Sequence, residues 1–210
     1  LVWNSSAGIL KERAVDSARD AYWHGTPIAS LIAGTTVGVA PHSNIIDICM
    51  IPNNVGSLKQ FFECLSFAMS LPEVSLVNLS AGLDLSHSEE AALGDLLLEM
   101  MDRGVLPTFA IGNQGSGSSK SPGRIMQALS VGATDRAGQV WTGSGGQIFE
   151  HGDAVFKKPD MVAPGKSVVS VSPSSGHETV TGTSFAAPIA TGIAALFLEK
   201  RPTMTPSELR

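Results

Sequence analysis

The run from Gly182 to Leu198 restricts the possible folds more than any other part of this chain. A glycine-threonine-serine turn leads into small, mostly apolar residues, and no charged residue follows before Glu199. A helix that is apolar on every side is a buried helix. Because proline is tolerated in the first turn of a helix, we expect Pro188 to lie in that turn. Ser184 is then predicted at the helix N-terminus, where backbone N–H groups without helical partners favour negative charge.

Length and composition point to a globular protein. The chain has 210 residues, of which 43% are hydrophobic, enough for one domain with a sizeable core. Its apolar runs are too short, or too interrupted by Gly and Pro, to span a bilayer. A formal net charge of −5 without a Lys/Arg cluster argues against nucleic acid as the main partner. Cys49 and Cys64 have apolar neighbours in sequence, so we expect two buried thiols rather than a disulfide or a metal site.

Short apolar runs alternate with helical patterns along the chain, which is typical of an α/β fold with a parallel sheet. Besides the Ser184 helix, the helical patterns cover residues 24–34, 58–70 and 88–103. Strands are predicted over residues 44–51 (a buried strand), 74–79, 105–111 and 128–133, with short strands between 141 and 175. The Gly/Ser-rich segment 112–119 lies between strand-like runs of the same character. We therefore interpret it as a loop within a single domain over residues 1–210, and not as a linker.

Two further polar residues have settings that suit a binding or catalytic role. His24 begins an apolar helix, with Gly25 beside it, and Asn113 ends a strand in a tight glycine turn. Side chains at the carboxyl end of a parallel strand reach the crevice where such sheets bind ligands. Taken one at a time, a structural role is favoured for each of them: His24 as a structural histidine, Asn113 as a turn former and Ser184 as a helix cap. The chain contains no His-Glu-x-x-His pattern, so a metallopeptidase is not supported.

Six short motifs, taken together, resemble those of a known family. In chain order they are His24-Gly25-Thr26-x-x-Ala29, Gly38-Val39-Ala40-Pro41, Gly112-Asn113-x-Gly115, Val131-Gly132-Ala133, Pro159-Asp160-x-x-Ala163-Pro164-Gly165 and Gly182-Thr183-Ser184-x-Ala186-Ala187-Pro188. On these motifs the chain is identified as a member of the subtilisin-like serine proteases (subtilases). The resemblance implies a three-layer α/β/α fold with a mostly parallel central sheet.

The resemblance also implies roles for individual residues. Ser184 corresponds to the nucleophile, His24 to the general base and Asn113 to the oxyanion donor. A serine is a weak nucleophile until an imidazole accepts its proton, so the implied roles agree with the residue types. The two walls of the primary specificity pocket correspond to Ser80-Ala81-Gly82 and Ala110-Ile111-Gly112.

Lys120 is expected near the base of this pocket if Ser121-Pro122 matches the family's aromatic-proline pair. A lysine there would favour an acidic residue before the scissile bond.

The aspartate that begins the family's triad has no counterpart in an Asp-Thr/Ser-Gly setting here. Only 23 residues precede His24, and Asp16 and Asp20 lie in a polar stretch typical of an exposed loop or helix. Three explanations remain open. The aspartate belongs to a preceding segment or another chain, a local carboxylate replaces it, or the protein is a weakened or non-proteolytic relative. Absence of the triad aspartate would lower activity, because its carboxylate orients the histidine and stabilises the imidazolium.

The leading hypothesis is a serine endopeptidase that acts on extended polypeptides through an acyl-enzyme, and the alternative is a peptide-binding pseudoprotease. An esterase or lipase is not indicated, since the Gly-x-Ser-x-Gly elbow is absent. No cofactor is expected to be required. Family members often bind calcium, but no concentrated loop of oxygen ligands allows a site to be assigned. Residues 205–210 have the capping-box spacing of a helix start. We therefore expect the chain to be a fragment that lacks the first strand and the last helix of the family domain, and we expect this fragment to be weakly active when isolated.

Overall fold

The computed structural model of the protein describes residues 2–4, 9–11, 24–50, 57–151, 154–174 and 176–210. The helices are α1 (Gly25–Ala33), α2 (Leu58–Ser70), α3 (His87–Asp102), α4 (Thr183–Lys200) and α5 (Pro206–Leu209). The strands are β1 (Val2–Asn4), β2 (Ile9–Lys11), β3 (Asp47–Cys49), β4 (Leu76–Leu79), β5 (Leu106–Ala110), β6 (Leu129–Thr134), β7 (Gln147–His151), β8 (Ala154–Lys158), β9 (Met161–Pro164), β10 (Val168–Val171) and β11 (His177–Val180). No helix in these ranges is long and apolar enough to cross a membrane.

Reciprocal side-chain caps fix where three of the helices begin. Ser57 caps α2 with Gln60, Ser86 caps α3 with Glu89, and Thr205 caps α5 with Glu208. In each pair the hydroxyl accepts from the third helical N–H and the longer side chain accepts from the cap's own N–H, which satisfies two groups that helix ends leave unpaired.

A four-stranded parallel sheet forms the centre of the fold, in the order β4-β5-β6-β9. The strand β1 pairs in parallel with β3 and antiparallel with β2 in a second sheet, and β7-β8 and β10-β11 form two-stranded antiparallel ribbons. The Gly/Ser-rich segment 112–119 joins β5 to β6, which are neighbours in the central sheet.

The helices cover both faces of the central sheet, which gives the predicted three layers. Successive residues of β5 point to opposite faces, as the pleat of a strand requires. Phe109 packs with Phe61 of α2 and Leu97 of α3, whereas Ala110 packs with Ala186 of α4. The α4 face contributes mainly alanines, so this helix lies close to the sheet.

Pro188 does not lie in the first turn, contrary to the sequence-based expectation. The helix α4 begins at Thr183, with Gly182 as N-cap, so Pro188 falls inside the helix. A proline there has no N–H to donate to the carbonyl four residues earlier, which belongs to Ser184. The structure supplies another donor to that carbonyl, the Ser80 hydroxyl at 2.8 Å, and this contact accounts for the error.

The expectation of a buried strand over residues 44–51 was also too strong. The strand β3 spans Asp47–Cys49, with Asp47 exposed and the other two residues half-buried. Cys49 is consequently only half-buried, while Cys64 on α2 is buried as expected, and neither forms a disulfide. Burial, followed by the charge of Glu63 and by Cys49, raises the pKa of the Cys64 thiol to about 12.

We predict that the Cys64 thiol is unreactive in the folded protein. In a C49S variant, alkylation by iodoacetamide at pH 8.5 should be at least about 100-fold slower in buffer than in urea, since an unfolded thiol has a pKa of about 8.5. Between about pH 8.5 and 12, the Cys64 thiol keeps its proton in the folded state and loses it in the unfolded state. This contribution to the unfolding free energy therefore falls as the pH rises from about 8.5 towards 12. Equal alkylation rates in buffer and in urea would contradict the prediction.

Candidate active site

Ser184 is the second residue of α4 and is half-buried at the edge of the central sheet. Its hydroxyl donates to the Ser80 carbonyl at 3.3 Å, and the Ser80 hydroxyl donates to the Ser184 carbonyl at 2.8 Å. Ser80 directly follows β4, so the helix N-terminus is joined to the carboxyl end of a parallel strand. This is the end of an open α/β sheet at which ligands bind.

Asn113 is held by the residue that precedes Ser184. Its Oδ1 accepts from the Thr183 backbone N–H at 2.8 Å and from the Thr183 hydroxyl at 2.9 Å. The Thr183 hydroxyl in turn accepts from the Gly112 N–H at 3.2 Å. Because a backbone N–H can only donate, these bonds fix which end of the Asn113 amide is oxygen. Its Nδ2 group takes part in no hydrogen bond among the described residues, and Asn113 is one of the residues that line the cavity described below.

His24 lies at the N-cap of α1, and its backbone is helical. The imidazole ring meets the Phe185 ring edge-on, with the ring centroids 5.7 Å apart and an interplanar angle of 61°. Phe185 follows Ser184 in α4, and α1 packs against α4. The fold therefore brings His24 next to the turn that carries Ser184, although 159 residues separate them in sequence.

A cavity of about 150 Å³ opens beside Ser184. Its lining residues are Ser80, Ala81, Gly82, Ala110, Gly112, Asn113, Gln114, Lys120, Thr183 and Ser184. Ile111, expected in the same wall, is fully buried behind it. The Ile111 N–H donates to the Val131 carbonyl, and the Ile111 carbonyl accepts from the Lys120 N–H, so its backbone is already paired within the protein.

Lys120 crosses the cavity between two glycines, one in each wall. A Cβ placed on Gly82 would lie 2.8 Å from the Lys120 Cβ, and one placed on Gly112 would lie 3.2 Å from its Cγ. A side chain at Gly82 would collide with the lysine stem, and one at Gly112, where φ is +114°, would press on the stem and lie 2.8 Å from Gln114 Oε1. The Lys120 ammonium donates to both carboxylate oxygens of Asp84, at 2.6 and 2.7 Å. This hydrogen bond, together with the lysine charge, holds the pKa of Asp84 below its usual value.

Both the sequence and the fold match those of known proteins. A family model described as the subtilase family matches residues 3–210. M-protease of Shouchella clausii (strain KSM-K16) is 32% identical over 200 residues, covering 92% of this chain and 49% of that protein. Subtilisin Savinase of Lederbergia lenta is also 32% identical over 200 residues, covering 92% of this chain and 70% of that protein. The chain belongs to the subtilase family.

Solved structures agree with this assignment. A cold adapted subtilisin-like serine proteinase reaches a TM-score of 0.83 at 24% identity, covering 100% of this chain and 71% of that one. The S41 psychrophilic protease reaches a TM-score of 0.77 at 29% identity, covering 92% of this chain and 69% of that one. The predicted family and the predicted three-layer fold are thereby confirmed. The chain spans about half the length of M-protease and of other curated relatives that it matches.

Sequence reasoning missed three contributors to the site of this subtilase. Thr183 was noted only as part of a motif, and its partner Asn113 is 70 residues away. Asp84 was not singled out, although it lies two residues beyond the Ser80-Ala81-Gly82 wall. Gln114 lines the cavity, and its side-chain oxygen accepts from the Asn113 N–H at 3.1 Å. The contacts of Thr183 and Asp84 join residues far apart in sequence, so no local pattern reveals them, whereas Gln114 directly follows Asn113 and lies within the Gly112–Gly115 motif.

Other expected elements of the site stay predictions or lie elsewhere. Asp16 and Asp20, the local carboxylates considered for His24, lie outside the described residues. Within the described part of the chain, no group of three or more His, Cys, Asp or Glu side chains is placed to hold a metal ion.

We predict that the Thr183 hydroxyl is needed for the stability of this corner. A T183V variant keeps the shape of the side chain but leaves the Gly112 N–H and the Asn113 Oδ1 with one partner fewer, which should lower the unfolding free energy by about 1–3 kcal/mol. Urea denaturation measures this change. T108V is the matched control, because Thr108 is equally buried and its hydroxyl has no hydrogen-bond partner among the described residues. If both variants unfold at the same urea concentration, the inferred role of Thr183 is wrong.

Proposed function

We propose that this protein is a serine endopeptidase in which Ser184 is the nucleophile, His24 the general base and Asn113 an oxyanion donor. The observation that carries the proposal is the Asn113 amide: Thr183 holds its oxygen, so its N–H groups are the part left to donate, and Asn113 lines the cavity beside Ser184. Peptide binding alone does not need a nucleophile and an amide donor at one helix N-terminus. Transfer of an acyl group needs both.

The mechanism begins with attack of the Ser184 oxygen on the carbonyl carbon of the scissile peptide bond. The His24 imidazole accepts the hydroxyl proton, which in the present structure is directed to the Ser80 carbonyl. The negative charge that develops on the substrate oxygen is stabilised by Asn113 Nδ2 and by the Ser184 N–H. When the tetrahedral intermediate collapses, the C–N bond breaks and His24 gives its proton to the leaving amine. Water then repeats these steps on the acyl-enzyme, which releases the acid and restores Ser184.

A carboxylate that orients His24 completes such a mechanism. We propose that a preceding segment or another chain supplies this carboxylate, and we assign the role to none of the described residues. In subtilisin, loss of the orienting carboxylate costs about 3 × 10⁴ in rate. Weak turnover of the 210-residue chain by itself is therefore part of the proposal.

The substrate is proposed to be an extended polypeptide that lies along the first cavity wall. Among the described residues, Ala81 and Gly82 take part in no backbone hydrogen bond, so their N–H and C=O groups are available to an added strand. On the second wall, the Gly112 N–H is taken by Thr183 and the Gly112 carbonyl by the Gly145 N–H. The two walls therefore differ, and we assign backbone pairing with the substrate to the Ala81-Gly82 side.

We predict that a fluorophosphonate probe labels the protein at Ser184. Labelling should disappear in S184A, because the probe reports a serine whose proton a base can accept. S88A is the matched control, since Ser88 is likewise the second residue of its helix, α3, and should leave labelling unchanged. An intact, folded protein that is not labelled would indicate a peptide-binding pseudoprotease instead of an enzyme.

We further predict that Lys120 favours an acidic residue before the scissile bond, and that Asp84 opposes this preference. Asp84 occupies the ammonium in the absence of substrate, but its side chain is 81% exposed and exposed ion pairs are easily displaced. In a peptide-library profile, D84N should increase kcat/KM for Glu and Asp at this position by about fivefold, and K120M should abolish the preference. A profile without acidic enrichment in both the parent protein and D84N would rule this out.

A further inference from the structure

Pro188 leaves a gap in the hydrogen bonding of the residue that carries the nucleophile. In a regular helix the N–H of residue 188 would donate to the carbonyl of Ser184, four residues earlier. Proline has no N–H, and its buried position inside α4 makes the missing bond a feature of the folded state. A buried carbonyl that lacks its partner costs about 1–3 kcal/mol unless another donor replaces it.

The Ser80 hydroxyl takes the place of the missing helical N–H. It donates to the Ser184 carbonyl at 2.8 Å, and the Ser80 residue is only 8% exposed. The same hydroxyl oxygen accepts from Asn78 Nδ2 at 3.2 Å. A hydroxyl that accepts one bond while it donates another is held in one orientation, and each bond polarises the next.

The hydrogen bonds continue from Asn78 back to α4. The Thr191 hydroxyl donates to the Asn78 Oδ1 at 3.1 Å. The same hydroxyl also lies 3.0 Å from the Ala187 carbonyl, so the two acceptors share its proton. Ser184 and Thr191 are about two turns apart on α4, and Ser80 and Asn78 lie two residues apart along β4 and its continuation. The helix is thus tied to the strand at two levels, and one of them is the backbone of the nucleophile.

We propose that Ser80 is a positioning residue that fixes Ser184 relative to the first cavity wall. Its hydroxyl replaces the N–H that Pro188 lacks, and its carbonyl accepts from the Ser184 hydroxyl. Because Ser80 continues directly into Ala81 and Gly82, a peptide that pairs with this wall lies in a fixed register with the attacking oxygen. The inference rests on the function proposed above for Ser184 and adds the means by which the nucleophile is held in place.

The test is a cycle of variants in which a backbone N–H is restored to residue 188. In S80A the Ser184 carbonyl loses its donor, and the labelling rate with a fluorophosphonate should fall by about 10- to 100-fold, as for displacements of about 1 Å. In P188A the helix itself supplies an N–H to that carbonyl. The further change S80A should therefore alter the labelling rate by less than about twofold when it is made in P188A. An equal loss in both backgrounds, or no loss in S80A alone, would overturn the proposal.

A second measurement keeps the inference separate from the function on which it rests. S80A should lower the thermal midpoint by about 2–10 °C in the parent protein and by clearly less in P188A. S130A is the control, because Ser130 is a fully buried serine of the same sheet whose hydroxyl has no hydrogen-bond partner among the described residues. If Ser184 is not labelled but S80A still lowers the thermal midpoint more in the parent protein than in P188A, the proposed function is refuted and the hydrogen bond between Ser80 and Ser184 is supported. If Ser184 is labelled but S80A lowers the midpoint equally in both backgrounds, only the inferred role of this hydrogen bond is refuted.

Discussion

The structure depends on burying the N-terminus of α4 against the ends of two parallel strands. Such a helix end carries N–H groups without helical partners, and Pro188 adds a carbonyl without one. Side chains from the β4 and β5 ends satisfy two of these groups: Asn113 accepts from the Thr183 N–H, and Ser80 donates to the Ser184 carbonyl. The groups that make the helix end stable are therefore the same groups that surround the proposed nucleophile.

The composition of α4 follows from this placement. A helix whose first turn must reach side chains at the ends of β4 and β5 has to lie close to the sheet. Alanines at 186, 187 and 190 pack against small residues of β5 and β6 and allow that approach. The opposite face of the sheet has no such requirement, and there α2 and α3 pack large residues such as Phe61 and Leu97 against Phe109. The asymmetry of the two layers thus reflects which of them carries the site.

Much of the fold could be predicted from the sequence because its signals are local. The bounds of α2 match the prediction, and those of β4 and α3 differ from it by one or two residues, because caps and apolar periodicity are signals that lie within a few positions of each other. The long-range contacts were not predictable in this way. The place of Pro188 inside α4 depends on Ser80, and the orientation of Asn113 depends on Thr183, far away in sequence. Cys49 is half-buried because its strand lies in a small second sheet, a fact that its apolar neighbours do not reveal.

The position of the Lys120 stem links two properties of the cavity that are usually independent. Its methylene groups set the gap between the walls at Gly82 and Gly112, while its ammonium sets the charge at the far end. A shorter side chain at residue 120 would widen the gap and remove the charge together, and a side chain on either glycine would displace the stem and its ammonium. Changes in the width of this cavity are therefore tied to changes in its charge, whereas a substitution at Asp84 changes the charge without a change of width.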